Sequence, residues 1–286
     1  MSPSTGGSTR TTLDDTTQAP TTTKEHPTMR PAATPTTSPP TGNVSTTKAI
    51  LALAGSEVRL LLRNRLVATT ALVIPVLMAV GYGASGLRYG DGSGTTIALM
   101  VLTMLLLTVY MAATTSIAAR RTGLVLKRMR SGETREWAIL AGMLLPTVVL
   151  AAAQSVLIGA VFVAFGADLP ENPLLVLAGA VGGAVLFALF ALVTVRVTAT
   201  PETAQVTTLP LFFAALAGAF WTITKPLDEA TTLMIVNPGG AIMHLVQGGW
   251  DGGGGDMLTA AAALVFWAGL AYEIAKRTFT WEPRSS

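Results

Sequence analysis

From residue 66 onward the chain alternates between long apolar runs and short polar or charged interruptions. The runs cover residues 66–83, 95–117, 138–165, 174–195, 206–223 and 257–275. All but the third, which is unusually long, are close to the roughly 20 residues that a helix needs to cross a hydrocarbon core. The pattern predicts an all-α integral membrane protein with six transmembrane helices, in a domain over residues 66–286. Pro146 interrupts the third run and Gln154 and Ser155 lie near its middle, so that helix is expected to be kinked or tilted. Gly179 and Gly183 in the fourth have the small-xxx-small spacing that lets two backbones approach, either within one chain or at a dimer seam. Between the fifth and sixth runs, residues 224–256 hold two apolar pieces, 233–236 and 241–246, which are too short to cross. The pattern predicts short re-entrant helices here, leaning on the fifth and sixth spans, because non-helical backbone at membrane depth needs protein or water around it.

Ahead of the first run the periodicity changes. Leu51, Ala54, Val58, Leu61 and Leu62 share one helical face, with Lys48, Ser56, Arg59 and Arg63 on the other. Residues 48–65 therefore predict an amphipathic interfacial helix on anionic lipid, with Arg63 and Arg65 where the chain turns into the bilayer. Residues 1–47 are rich in Thr, Ser and Pro, too sparse in apolar groups to offset the entropy of ordering, and predict a disordered cytosolic tail. They lack the basic start and apolar core of a cleaved secretory signal.

Charge then orients the spans. Arg120, Arg121, Lys127, Arg128, Arg130 and Arg135 fall within 16 residues between the second and third runs, and short loops rich in Lys and Arg stay in the cytosol. On this assignment 14 of the 19 Lys and Arg residues lie at the cytosolic membrane face, Arg10, Lys24 and Arg30 lie in the cytosolic tail, both termini are cytosolic, and only Arg88 and Lys225 lie outside. Trp137 and Trp281 fall near the inner boundary, Trp221 and Trp250 near the outer one. The basic loop also carries Gly123, Leu124, Leu126 and Met129 among its charges. Taken alone, these residues leave two readings open: a topology signal, or a docking surface for a cytosolic partner.

Several kinds of chemistry are missing. There is no cysteine, and the two histidines, His26 and His244, form no metal set with each other. Between residues 66 and 272 none of the six runs contains Asp, Glu, Lys, Arg or His, and Glu273 stands only at the end of the sixth. Proton- or ion-coupled carriers need such groups at membrane depth, so coupling to an ion gradient is not expected. His244 has no nucleophile spacing beside it, which argues against a hydrolase. The chain has no phosphate loop of its own and no Gly-Lys pair. A transport function would thus draw its energy from a separate cytosolic ATPase, with no cofactor bound by this chain. The net charge of +3 gives no case for nucleic acid, since the basic residues sit at one membrane face.

Two spans have faces suited to a substrate path. In the second, Thr96, Met100, Thr103, Tyr110, Met111 and Thr114 recur at spacings of three, four and seven; in the fifth, Phe213, Leu216 and Phe220 form an aromatic stripe. Thioethers and rings supply apolar bulk and hydroxyls supply orientation, a combination suited to an amphipathic compound. The same spacing also serves packing between helices.

The loop Arg120-Arg121-Thr122-Gly123-Leu124-Val125-Leu126-Lys127-Arg128-Met129-Arg130-Ser131-Gly132-Glu133, the following Ile139-Leu140-Ala141-Gly142, the pair Asn237-Pro238 and the terminal Trp281-Glu282-Pro283-Arg284 carry a family resemblance. With the amphipathic leading helix, they make residues 48–284 resemble a membrane-spanning permease of the ABC-2 family of ATP-binding cassette exporters, particularly the drug-resistance type of actinobacteria. The chain departs from many members in having Arg120-Arg121 where an acidic cluster stands and Gly132 where a proline follows. The resemblance implies a half-transporter in a bacterial plasma membrane, paired with a second permease, usually a copy of itself, and with cytosolic ATPase subunits that hold ATP and Mg. The loop would be the coupling element, with Arg120, Arg121, Gly123, Leu124, Leu126, Lys127, Arg128, Arg130 and Glu133 as candidate ATPase contacts. Met100, Thr103, Tyr110, Met111, Phe213 and Phe220 would then belong to the path of an exported drug, natural product or lipid. Two other classes stand beside this reading: a channel-like or structural membrane protein without an ATPase partner, and a membrane-embedded enzyme.

Overall fold

Where no side chain and no water competes for backbone hydrogen bonds, an apolar run satisfies itself as a helix. The computed structural model describes residues 55, 65–85, 92–122, 136–253 and 255–278, and among them no strand occurs. The helices are Arg65–Ser85 (α1), Ser93–Thr122 (α2), Glu136–Ala164 (α3), Pro173–Val195 (α4), Pro201–Ile223 (α5), Thr232–Val236 (α6), Pro238–Asp251 (α7) and Met257–Thr278 (α8). All of them lie within the unit Val44–Ser286. The tail expected over residues 1–47 and, apart from Gly55 and Arg65, the interfacial helix expected over 48–65 lie outside the described residues. So do Arg88 and the terminal residues 279–286.

Five helices are long and apolar enough to cross a membrane: α2, α3 from Ile139, α4, α5 and α8. The expected first span falls within the 21 residues of α1, of which Val76–Ser85 forms a shorter apolar helix. Three starts share one local device, a polar cap followed by proline. Asn172 accepts from the Leu175 N–H at 3.1 Å, Asn237 accepts from the Gly239 N–H at 3.0 Å, and Thr200 with Thr203 forms a reciprocal capping box. Proline suits the first helical position because its missing N–H would be unsatisfied there anyway. Pro146 and Pro210 are instead carried inside continuous helices.

The core is built on α2, α4 and α7. Helix α7 is buried along almost its whole length; it packs most extensively against α4 and α2 and also touches α5 and α8. The expected apolar piece 241–246 is thus the middle of a longer helix, which leans chiefly on the second and fourth spans. Close approach of the glycines explains this. A Cβ on Gly179 would stand 2.9 Å from Val246 Cγ2, and one on Gly183 2.8 Å from both Ile242 and Leu105. The small-residue seam of α4 is therefore filled within the chain by α7.

Helix α2 is not uniform. Its α-helical ends, Ser93–Met104 and Ala112–Thr122, flank a π-helical segment, Leu105–Met111. Hydroxyls turn back onto the helix around it, Thr103 to the Leu99 carbonyl and Thr108 to that of Met104, each at 2.8 Å. Thr114 does the same to Tyr110 at 2.7 Å. Such back-bonding satisfies hydroxyls in an apolar surrounding and often accompanies bent helices.

Candidate functional site

The end of the bundle that carries the basic loop is organised by Arg121. Successive helical residues are turned by about 100°, so Arg120 is partly accessible while Arg121, beside it, faces inward and is 1% exposed. Its Nη1 donates to the Val195 carbonyl at 2.9 Å and its Nη2 donates to the Thr198 carbonyl. Val195 closes α4, where carbonyls lack intrahelical partners and the helix dipole favours a cation. A planar guanidinium has the fork to take two such acceptors, which an ammonium lacks.

The contacts continue from there. The Thr198 hydroxyl donates to the Thr194 carbonyl at 2.9 Å and lies 2.7 Å from the Thr207 hydroxyl on α5. The Thr194 hydroxyl lies 2.9 Å from that of Tyr110, in the π segment of α2. Arg196 Nη1 donates to the Thr278 carbonyl at the end of α8, 2.9 Å away. Polar contacts therefore tie the start of the basic loop to α4, α5 and the middle of α2, and a parallel one ties the α4–α5 connection to α8. Sequence reasoning did not single out Thr194, Thr198, Thr207 or Arg196 for this work. The available signal was the density of hydroxyls through Thr194, Thr198, Thr200 and Thr203, unusual beside runs of Leu, Val and Ala.

Of the nine candidate ATPase contacts, Arg120 and Arg121 are described, and the second is an internal strut. Gly123, Leu124, Leu126, Lys127, Arg128, Arg130 and Glu133 lie outside the described residues.

The candidate path residues are divided. Tyr110 and Met100 are buried in the protomer core, Tyr110 against Phe187 and Thr194. Thr103 and Met111 are partly accessible, while Phe213 and Phe220 stand 58% and 49% exposed on α5. The stripe expected on the second span is corrected accordingly. Its accessible line is Leu99, Thr103, Leu107, Met111 and Thr115, every fourth residue. The wider turn of a π segment shifts the register, so a spacing of seven from Thr103 to Tyr110 no longer holds one face. On α5 the exposed line is Val206, Leu209, Phe213 and Phe220.

Charge separates the two ends. Arg120, Arg121, Arg196, Lys276 and Arg277 lie at the loop end, with Glu202 and Glu273. At the other end lie Asp168, Glu171, Asp228, Glu229, Asp251 and Asp256, and Lys225 is the lone Lys or Arg there among the described residues. Asp256 accepts from the Thr259 N–H at 3.0 Å and from its hydroxyl, which hold the carboxyl below the usual carboxylate range. His244 in α7 is 1% exposed; burial pushes its imidazole pKa down, against a smaller upward pull from Asp256.

A family model described as ABC-2 family transporter protein matches residues 66–272, from the start of α1 into α8. A comparison with curated proteins finds no match.

Proposed function

Because the chain belongs to the ABC-2 transporter family, whose members are the transmembrane rather than the ATPase component, we propose that it is the permease half of an ATP-driven exporter for a hydrophobic or amphipathic compound, whether drug, natural product or lipid. Two copies would pair, each with six spans, α6 and α7 entering and leaving the membrane from the acidic end. The basic end faces the cytosol with both termini, in line with the retention of Lys and Arg on that side. Cytosolic ATPase subunits, which hold ATP and Mg, dock on the loop between α2 and α3.

The observation that carries this reading is the position of Arg121. It stands where the loop leaves α2 and grips the carbonyls of Val195 and Thr198. A push on the loop reaches not only α2 and α3, its covalent neighbours, but also α4 and α5. A topology signal needs charge alone; a transmission element needs such an internal grip. The exposed lines of α2, with Leu99, Thr103, Leu107 and Met111, and of α5, with Phe213 and Phe220, supply apolar surface with a hydroxyl, as an amphipathic cargo requires.

Leu126→Asp tests the docking. It places a carboxylate among the apolar knobs of the loop while leaving every basic residue that sets topology. The variant is expected to insert normally and to lose stimulation of its partner's ATP hydrolysis. Normal insertion with unchanged stimulation and unchanged partner affinity contradicts the docking.

A further inference from the structure

At the acidic end, a cleft of about 360 Å³ opens between the start of α2, the segment after α5 and the end of α7. Pockets that hold small ligands run from about 300 to 1,000 Å³. The charges that line the cleft are already placed. The Asp251 carboxylate accepts the Gly94 N–H through both oxygens, at 2.9 and 3.1 Å, and makes a further interaction besides. It acts as a cap lent to α2 by another helix, at the end where the dipole favours an anion. Lys225 is exposed and reaches water, and the segment that carries it continues into the exposed Asp228 and Glu229.

What the cleft leaves unspent is neutral. Thr95 lines it and is 2% exposed, yet its hydroxyl has no hydrogen-bond partner among the described residues. Further along the helix, Thr103, Thr108, Thr114 and Thr115 all return their hydroxyls to the backbone. Gln247, partly accessible, lines the cleft one turn before Asp251 on the same face of α7. A hydroxyl and a carboxamide each both donate and accept. A phosphate only accepts, and beside Lys225 it would meet Asp228, Glu229 and Asp251. An ammonium only donates, and it would find Asp251 engaged. A ligand hydroxyl does both and brings no charge to desolvate.

We propose that this cleft binds an uncharged, hydroxyl-rich group of the hexose type, as a lipid headgroup or as a free sugar. Its hydroxyls exchange hydrogen bonds with Thr95 and Gln247, and its C–H face lies against the apolar surface of Ile223 and Leu227. The site is separate from the loop end, and its occupancy does not depend on transport.

The test is native mass spectrometry of the full chain in a sugar-free detergent, titrated with monoglucosyl diacylglycerol, diacylglycerol and phosphatidic acid of the same acyl chains. The glucosyl lipid is expected to bind about tenfold more tightly than the other two, the worth of one or two hydrogen bonds. Gln247→Leu and the near-isosteric Thr95→Val should each remove that preference. Lys225→Met, which takes away the cation a phosphate would need, should leave it. Gln247 is partly accessible, so its replacement reports on binding even if Thr95→Val fails to fold. Free methyl glucoside separates the sources: displacement at the concentrations where the lipid binds indicates a soluble sugar, and no displacement indicates a lipid headgroup. Equal or tighter binding of either control lipid, an unchanged preference in Gln247→Leu, or its loss in Lys225→Met overturns the proposal.

Discussion

A buried arginine that binds two carbonyls cannot be replaced by charge alone. Arg121→Lys keeps the cation but cannot hold Val195 and Thr198 with a planar fork, and Arg121→Ala leaves both carbonyls buried without it. Arg121→Ala is expected to destabilise by about 1–3 kcal/mol, the scale of an unsatisfied buried group, with Arg121→Lys between it and wild type in thermal denaturation. Both should weaken stimulation of the ATPase while leaving its binding intact; full stimulation in both contradicts a transmission role. His244 gives a prediction in pH. Its folded-state pKa lies below that of an unfolded histidine, so the unfolded chain binds the proton first and stability falls as pH drops below about 6.5. Asp256 has the opposite origin: its lowered carboxyl contributes stability above the unfolded carboxylate pKa of about 3.9 and loses it below. The two windows are distinct. Melting temperature should fall between pH 7 and 5 in wild type and less in His244→Leu; identical slopes refute the assignment. At this scale the sequence was least legible. Arg120 and Arg121 are adjacent in a charged stretch, and nothing in their order tells which one turns inward.

At the scale of elements, the helices were legible because the uncharged runs leave the backbone no alternative; Asn172-Pro173, Thr200-Pro201 and Asn237-Pro238 are start signals with a local mechanism that the apolar runs alone do not show, so the fifth helix begins five residues ahead of its run. Helix α7 was seen only in part. His244 and Gln247 and four glycines interrupt its apolar pattern, and those glycines have a tertiary cause invisible along the chain. The π segment was not foreseen either, since Leu-Leu-Leu-Thr-Val-Tyr-Met reads as ordinary helix; it decides which residues of α2 reach the surface. The glycines divide sharply in expected cost. A Cβ on Gly239 would run into the Ala215 carbonyl, which is backbone and has little room to yield, whereas one on Gly269 meets nothing within 4 Å. Gly239→Ala should force α7 from α5 and cost roughly 1–3 kcal/mol or more, as overpacking does. Gly269→Ala, within α8, should be neutral or slightly stabilising, because Ala is the better helix former. Thermal denaturation of the two variants in one detergent checks both; equal effects contradict the packing described for α7.

Among the described residues of the membrane unit, spanning helices that carry charge only near their ends separate a basic end from an acidic one. The class of protein followed from the sequence, through the lack of ionisable groups in the spans and the lack of a phosphate loop, and membership of the ABC-2 transporter family agrees with it. The choice of helices that form the centre did not follow, because α2 and α3 are equally apolar and yet only α2 is largely buried, so that packing ranks them. On the proposed reading, the middles of the described spans hold no Asp, Glu, Lys, Arg or His to take up a coupling ion, and energy enters through the basic end, by way of the loop and Arg121. The central claim is therefore one of energy source. The permease and its ATPase are reconstituted together in vesicles, and accumulation of an amphipathic fluorescent cargo is followed with ATP while ionophores collapse the proton and sodium gradients. The expected result is transport that requires ATP and is unchanged by the ionophores; accumulation driven by a pH step without ATP contradicts it.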